Sequence, residues 1–248
     1  MHVTDKNNKN IFMKNLLIAS TSTVHGKGYL EYILPELSVF FKGISEILFI
    51  PYARPGGITY DEYTAIAKKG FAKINIEVKG IHEFGNPTTA IQQCRGIFTG
   101  GGNTFELVNQ LYKNNLIEVL KSSINEGTRY FGTSAGSNII GVNIKTTNDM
   151  PIVYPPSFDT LHLIDFNINP HYLDPDPNST HMGETRETRI KEFHKFNKLP
   201  VLGLREGSWL RVEGKQVILK GELPSRLFMA NESPKEIATD TDVSFLMD

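Results

Sequence analysis

Short apolar runs alternate with longer amphipathic stretches through the first half of the chain, and this alternation constrains the fold more than any other feature. The first run, residues 16–19, is closed by the polar cluster 20–23, and a second run follows at residues 47–50. Between them, apolar side chains recur at helical spacing over residues 29–41, with Gly43 as a stop signal. Repeated strand–helix–strand order predicts a mostly parallel sheet with helices on both faces. The predicted fold class is therefore an α/β three-layer sandwich.

The same alternation of predicted strands and helices continues to the middle of the chain and is less regular beyond it. Because no internal repeat or linker interrupts it, we predict one domain over residues 13–248, preceded by a flexible extension over residues 1–12. The further predicted strands are 74–78, 96–99, one that includes Tyr130 and Phe131, and 201–204. The further predicted helices are 60–69 with Gly70 as terminator, 105–112, 116–124 and 184–196, and a hairpin is predicted over 209–220.

Charge and cysteine usage exclude several classes of function. The 248 residues carry a formal net charge of -1, which gives no bulk attraction to nucleic acid or to an anionic membrane. The polar first ten residues lack the apolar run of a signal peptide or a membrane-spanning helix. With Cys94 as the single cysteine, no intrachain disulfide can form. We therefore expect a cytoplasmic protein that binds neither nucleic acid nor membrane.

A candidate nucleophile lies in the segment Gly132-Thr133-Ser134-Ala135-Gly136, which follows an apolar strand and precedes a short helical run. This is the G-x-S-x-G pattern in which a sharp strand-to-helix turn exposes a serine hydroxyl. The flanking glycines allow close packing, and the helix start directs amide groups toward developing negative charge. The alternative is a turn whose glycines serve packing alone. The context favours the catalytic interpretation.

A glycine-rich segment, Gly100-Gly101-Gly102-Asn103-Thr104, also joins a predicted strand to a predicted helix. Glycine lets backbone approach a ligand closely, so Gly101 or Gly102 could supply an amide of an oxyanion hole. A phosphate-binding loop is the competing interpretation. Neither the Lys-Ser/Thr of a P-loop nor the spacing G-x-G-x-x-G follows, so we favour the oxyanion role.

A serine hydroxyl needs a general base, and His171 is the strongest candidate among seven histidines. It directly follows a predicted strand that ends in Ile168-Asn169-Pro170, so it would project from a sheet edge. The third member of a triad is a carboxylate that orients the imidazole. Asp149 and Glu206 both remain open for this role, because triad members meet in space and not along the chain.

With these segments, the chain resembles the peptidase E family, the α-aspartyl dipeptidases. The similarity runs over residues 16–228, and five motifs carry it. These are GGGNTF at 100–105, SAGSN at 134–138, TTNDMPIV at 146–153, INPH at 168–171 and GETRE at 183–187. The resemblance implies a glutamine-amidotransferase-like, flavodoxin-like fold and a serine-type dipeptidase that removes N-terminal aspartate through an acyl-enzyme.

The resemblance also implies roles for individual residues. Ser134 matches the nucleophile and His171 the base, while Asp149 is ranked slightly ahead of Glu206 as the acid. Gly101 or Gly102, with the amide of Ala135, would form the oxyanion hole. Arg186 in the GETRE motif is the leading cation for the substrate carboxylate, since a guanidinium can bind a carboxylate at two points. The alternative for Arg186 is a surface ion pair with Glu184 or Glu187.

The chain departs from the family pattern at Thr133, where many relatives carry an aromatic residue, at Met182, where lysine is frequent, and in its N-terminal extension. These departures leave the catalytic assignment intact and concern the details of the substrate pocket. Two other functions also stay open. One is a hydrolase of aspartate-rich storage polymer similar to cyanophycinase, and the other is a non-catalytic binding protein of the same fold. We expect no metal and no cofactor, because no ligand-spaced cluster is present. The expected partners are short peptides with N-terminal aspartate, and we expect a monomer or homodimer.

Overall fold

The computed structural model describes residues 13–176, 178, 180 and 183–247. The predicted flexible extension over residues 1–12 and the departure at Met182 lie outside these residues.

A seven-stranded sheet forms the centre of the molecule. Its strand order is β3-β2-β4-β5-β1-β8-β9; the first five of these run parallel, and β8 and β9 are antiparallel to their neighbours. The strands are β1 (Asn15–Ala19), β2 (Glu46–Ile50), β3 (Glu77–Gly80), β4 (Gly96–Thr99), β5 (Arg129–Thr133), β8 (Ser208–Glu213) and β9 (Gln216–Gly221).

Helices cover both faces of this sheet, as the alternation of side chains along each strand requires. In β1, Leu16 and Ile18 belong to one hydrophobic cluster, while Leu17 and Ala19 belong to another. Helices α1 (Leu34–Phe40) and α2 (Tyr60–Ala72) pack on the second cluster. The first cluster contains residues of α3 (Pro87–Gln93), α4 (Thr104–Lys113), α5 (Ile117–Asn125) and α6 (Ala135–Asn138). The three-layer α/β sandwich with a mostly parallel sheet is thus confirmed.

A second, four-stranded sheet has the order β11-β10-β7-β6. Its strands are β6 (Asn167–Pro170), β7 (Val201–Leu204), β10 (Ser225–Phe228) and β11 (Lys235–Ile237). Strands β6 and β7 are parallel, and α7 (Arg186–Phe193) packs Ile190 against this sheet. Ile168, Leu202 and Leu204 join the same hydrophobic cluster as the large sheet, so the two sheets share one core.

Four of the predicted elements differ from the structure by more than one residue at an end. The helix predicted over residues 29–41 is α1 (Leu34–Phe40), preceded by a 3-10 turn at Glu31–Ile33, and the helix predicted over 184–196 is α7 (Arg186–Phe193). The strand predicted over residues 74–78 is mostly a turn, because Asn75 takes a φ of 58° and the amides of residues 74–76 bond back to carbonyls of Phe71 and Ala72. Gly70 does not end α2, which continues to Ala72. A Cβ at Gly70 would lie 3.0 Å from the Tyr29 ring, so this glycine serves close packing instead.

Candidate active site

Ser134 lies at the carboxyl end of β5, the middle strand of the seven-stranded sheet. Its backbone has φ 53° and ψ −112°, a conformation rare for a residue with a side chain. The Ser134 carbonyl accepts from the amides of Ser137 and Asn138, both at 2.9 Å, and its own amide donates to the Ala19 carbonyl at 3.2 Å. These bonds hold the strained turn that presents the hydroxyl.

The two glycines around Ser134 are required by close backbone packing. A Cβ on Gly132 would lie 2.5 Å from the Gly136 carbonyl oxygen, and a Cβ on Gly136 would lie 2.2 Å from the Thr99 carbonyl oxygen. Both distances are shorter than any real Cβ contact. The turn therefore tolerates side chains at the second and fourth positions of the pattern but not at the first and fifth.

The glycine segment after β4 lies directly against the serine. A Cβ on Gly101 would come within 2.9 Å of the Ser134 Cβ, and Gly102 has a φ of 145°. The Gly101 carbonyl accepts hydrogen bonds from the Tyr63 hydroxyl at 3.0 Å and from the Arg54 Nε at 3.3 Å. Since the C=O and N–H of a trans peptide point in opposite directions, the Gly102 amide points away from Tyr63 and Arg54.

His171 follows β6 and reaches Ser134 from the small sheet. Its Nε2 lies 2.9 Å from the Ser134 Oγ, and its Nδ1 lies 2.6 Å from the Glu206 Oε1. Glu206 is brought there by β7, which pairs in parallel with β6 so that Pro170 and Leu204 are partners in register. A Ser–His–Glu chain of hydrogen bonds therefore spans the two sheets.

Asp149, which was ranked first as the acid, is not brought to His171. Its Oδ2 accepts from the Thr104 amide at 2.7 Å, and also from the hydroxyls of Thr104 and Thr147. The physical reason is the position of α4, whose first amides need acceptors and whose N-terminus favours a carboxylate. Within the described part of the chain, Glu206 and not Asp149 is the carboxylate that hydrogen-bonds to His171.

A cleft of about 440 Å³ joins these groups and also contains Arg186, the first residue of α7. Burial lowers the pKa of the Arg186 guanidinium, as does the charge of Arg189, while Asp149 and Glu206 act in the opposite direction. No carboxylate of the described residues lies within salt-bridge distance of Arg186. Glu187, one of its two suggested partners, instead pairs with Lys191 at 2.6 Å and with Arg226 at 3.0 Å. The guanidinium is thus half-buried and faces the cleft, with no partner carboxylate among the described residues.

Some residues around the site were missed by the sequence reasoning. Ser20 bonds to the His171 backbone, and Tyr63 and Arg54 hold the Gly101 carbonyl. The signal for Ser20 was its place in the polar cluster that closes the first strand, where parallel α/β sheets bind ligands. Tyr63 and Arg54 carried no signal, because helical periodicity explains a tyrosine at position 63.

Over residues 13–176 and 183–247, no three His, Cys, Asp or Glu side chains come together as a metal site would require. In the same residues, no helix has the length and apolar character needed to cross a bilayer.

The fold and the site define a hydrolase of the α/β class with a serine nucleophile turn. A family model, Peptidase family S51, matches residues 16–220, and the chain belongs to this family. It is 49% identical over 234 residues to Peptidase E of Streptomyces coelicolor, covering 94% of this chain and 95% of that protein. It is 43% identical over 237 residues to the Drosophila melanogaster protein named "Probable alpha-aspartyl dipeptidase", covering 94% and 98%. The chain is therefore a peptidase.

Solved structures agree with this assignment. The Listeria monocytogenes EGD-e protein named "Putative Peptidase E Protein" matches with a TM-score of 0.64 at 25% identity, over 85% of this chain and all of that one. A peptidase from an acI-B1 actinobacterium matches with a TM-score of 0.68 over 95% and 98% of the two chains. At 14% identity, the second match supports the fold alone.

Proposed function

We propose that this peptidase removes N-terminal aspartate from very short peptides, foremost Asp-Xaa dipeptides, with Ser134 as nucleophile, His171 as base and Glu206 as the orienting acid. The observation that carries the proposal is the chain of two hydrogen bonds, 2.9 Å from Ser134 to His171 and 2.6 Å from His171 to Glu206. Nucleophile, base and orienter within hydrogen-bond reach are the geometry that acyl transfer requires.

In this mechanism the Ser134 Oγ attacks the carbonyl carbon of the aspartyl residue while His171 Nε2 takes the hydroxyl proton. The tetrahedral intermediate collapses as the same proton passes to the leaving amine, which leaves an ester between Ser134 and the aspartyl group. Water then attacks the ester with His171 again as base, and aspartate is released. Glu206 stabilises the imidazolium formed in each half-reaction.

The oxyanion of each intermediate needs preorganised donors. We assign this role to the amide of Ala135, which as the first residue of α6 has no partner within that helix, and to the Gly102 amide. Gly101 remains the alternative on the glycine segment. A Cβ added at Gly101 would lie 2.9 Å from the Ser134 Cβ, so this backbone lies directly beside the serine side chain.

Arg186 gives the proposed preference for aspartate a physical cause. A guanidinium in the same cleft as Ser134 can bind the substrate side-chain carboxylate at two points. Glutamate has one more methylene, so its scissile carbonyl would be displaced from Ser134 if both of its ends stayed anchored. Displacements of this size can lower the rate by about 10²-fold.

Asp149 is the carboxylate we assign to the free amine of the substrate. Its Oδ2 is fully used by Thr104 and Thr147, but no described residue bonds to its Oδ1, and the side chain lines the same cleft as Arg186. A zwitterionic aspartyl group would then lie between one cation and one anion. An internal aspartate has no free amine, which would restrict the enzyme to chain ends.

The direct test is hydrolysis of Asp-Leu and Glu-Leu by the purified protein. We expect cleavage of Asp-Leu, with Glu-Leu slower by about 10²-fold or more. Ser134→Ala should lower turnover by at least about 10⁴-fold, with an unchanged thermal unfolding midpoint as the control for folding. Turnover of Asp-Leu by Ser134→Ala at the rate of the parent protein would refute the mechanism.

Aspartate-rich storage polymer is the competing substrate, because cyanophycinase-like enzymes share the threonine before the serine and Thr133 occupies that position. A side-by-side digestion separates the two functions, and a preference for the polymer would replace the dipeptide assignment. Cytoplasmic location and a monomeric or homodimeric state stay predictions.

A further inference from the structure

Ser20 joins the two sheets at the point where the nucleophile and the base meet. The residue directly follows β1, and its side chain is completely buried. The hydroxyl donates to the Leu204 carbonyl at 2.7 Å and accepts from the His171 amide at 2.9 Å. One hydroxyl thus connects the end of a large-sheet strand to the ends of β6 and β7.

The backbone around Ser20 is in turn fixed to the nucleophile. Ala19, the preceding residue, accepts through its carbonyl from the Ser134 amide at 3.2 Å and from the Ser137 hydroxyl at 2.7 Å. The Ser20 amide donates to the Ser208 carbonyl of β8 at 3.1 Å. Any shift of Ser20 relative to Ser134 would therefore break bonds within the large sheet.

On the other side, the hydroxyl holds the residue that carries the base. His171 has a φ of 52°, a left-handed conformation that an ordinary side chain adopts only when its surroundings impose it. The Ser20 hydroxyl is the described acceptor for its amide, and the Leu204 carbonyl also accepts from the Tyr172 amide at 3.1 Å. Leu204 lies two residues before Glu206, so the same hydroxyl influences both His171 and its acid.

We infer that Ser20 is a positioning residue for catalysis: its hydroxyl sets the separation between the Ser134 Oγ and the His171 Nε2. The inference rests on the proposed roles of Ser134 and His171. Ser20 does not contact the reacting atoms. Its effect is to fix the backbone of the base against the strand that also fixes the backbone of the nucleophile, and 1 Å of misplacement can lower a rate by about 10²-fold.

The test is Ser20→Ala, compared with Thr160→Val as a matched control. Thr160 is also buried, and its hydroxyl donates to the Gly141 carbonyl at 2.8 Å, outside the cleft. Each variant removes one buried hydroxyl, and the thermal midpoint should fall in both, further in Ser20→Ala because the Ser20 hydroxyl makes two hydrogen bonds and the Thr160 hydroxyl one. Only Ser20→Ala should lower kcat for Asp-Leu, by about 10- to 10²-fold with KM within about twofold.

Two further measurements separate positioning from a merely structural role. The rate at which a fluorophosphonate labels Ser134 depends on the base, and it should decrease in Ser20→Ala in parallel with kcat. Binding of the product aspartate, measured by calorimetry, needs the cleft but not the base, and should stay within about twofold. If Ser20→Ala fails to fold, Ser20→Cys is used, because a thiol occupies a similar position but is a weak donor and acceptor.

The outcomes distinguish this inference from the proposed function. If Ser134→Ala is inactive but Ser20→Ala has the kcat and labelling rate of Thr160→Val, Ser20 has no positioning role. Equal losses of product binding and kcat would likewise assign Ser20 a structural role only. If Ser134→Ala is fully active, the proposed function fails before Ser20 is considered.

Discussion

The large sheet and the small sheet bring different kinds of group to one cleft. From the large sheet come Ser134 and the Gly101–Gly102 backbone, which are neutral and held by buried strand ends. The small sheet and the helix packed on it supply His171, Glu206 and Arg186, whose side chains are ionisable or charged and partly exposed. Under the proposed mechanism, rigid backbone positions the nucleophile, and partly exposed side chains supply proton transfer and charge recognition.

This division follows from the physics of each task. A nucleophile turn depends on close contacts between backbone atoms, which only a buried strand end provides. A base must exchange protons with substrate and water, so His171 and Glu206 keep 34% and 43% of their side chains exposed. Asp149 is the exception, because it is a carboxylate fixed to α4 on the side of the large sheet.

The prediction with the largest expected effect tests whether the small-sheet side of the cleft, through Glu206, supplies the acid. Glu206→Gln removes the charge that stabilises the imidazolium, and kcat for Asp-Leu should fall by about 10³- to 10⁴-fold. Asp149→Asn is the matched control, since it makes the same carboxylate-to-amide change in the same cleft. We expect its kcat to stay within about tenfold and its KM to rise, because it loses the charge facing the substrate amine. Steady-state kinetics at neutral pH measure both.

A larger loss of kcat in Asp149→Asn than in Glu206→Gln would contradict the assignment of the acid to the small-sheet side. If Asp149→Asn lowered kcat more than Glu206→Gln did, the acid would belong to the loop at α4 and the 2.6 Å contact between His171 and Glu206 would have no catalytic role. Thermal unfolding of both variants serves as the control, since Asp149 also caps α4 and its loss should cost about 1 kcal/mol of stability.

The large sheet and the small sheet also differ in how much of their structure can be predicted from the sequence. The turn at Ser134 is encoded by adjacent residues, and the large sheet by long periodic segments, so both could be predicted. Glu206 could not be separated from Asp149, because the pairing of β6 with β7 determines which acid meets His171. The outer strands β10 and β11 each begin with two polar residues, so they lack the apolar run that marks the equally short β7.

Ser20 illustrates a different limit on prediction from sequence. Its position after the first strand was visible, but a serine there is typical of any turn. Only the tertiary structure shows that its hydroxyl meets the ends of β6 and β7, which lie more than a hundred residues away in sequence. Residues that act through contacts between distant segments have no local pattern.

The second prediction concerns the charge on the small-sheet side of the cleft. Arg186→Met keeps most of the side-chain length but removes the cation, and kcat/KM for Asp-Leu should fall by about 10²-fold, the value of roughly two charge-assisted hydrogen bonds. The control is Arg189→Met, one turn further along α7 and exposed, outside the cleft that contains Ser134. Equal losses in the two variants would show that Arg186 contributes only general positive charge.

The prediction with the smallest expected effect compares how ion pairs of the small sheet and of the large sheet contribute to stability as pH falls. Hydrogen bonds from Arg205 lower the pKa of Asp174 and of Glu236, and so join the ends of the small sheet. A carboxylate with a lowered folded pKa stabilises the protein above its unfolded pKa of about 4, and this stabilisation is lost as pH falls through the folded value. Because both carboxylates are largely solvated, we expect at most about 1 kcal/mol.

Urea unfolding of Arg205→Gln at pH 7 and at pH 3.5 measures this contribution. The difference from the parent protein should be larger at pH 7, because below a pH of about 4 the unfolded chain takes up protons on these carboxylates and the stabilisation from Arg205 begins to be lost. Lys220→Gln is the control on the large sheet, where Lys220 of β9 pairs with the exposed Asp240 at 2.6 Å. Its effect should be near zero at both pH values, because an exposed single pair is screened by solvent. An equal pH dependence in both variants would mean that the small sheet has no special electrostatic contribution to its stability.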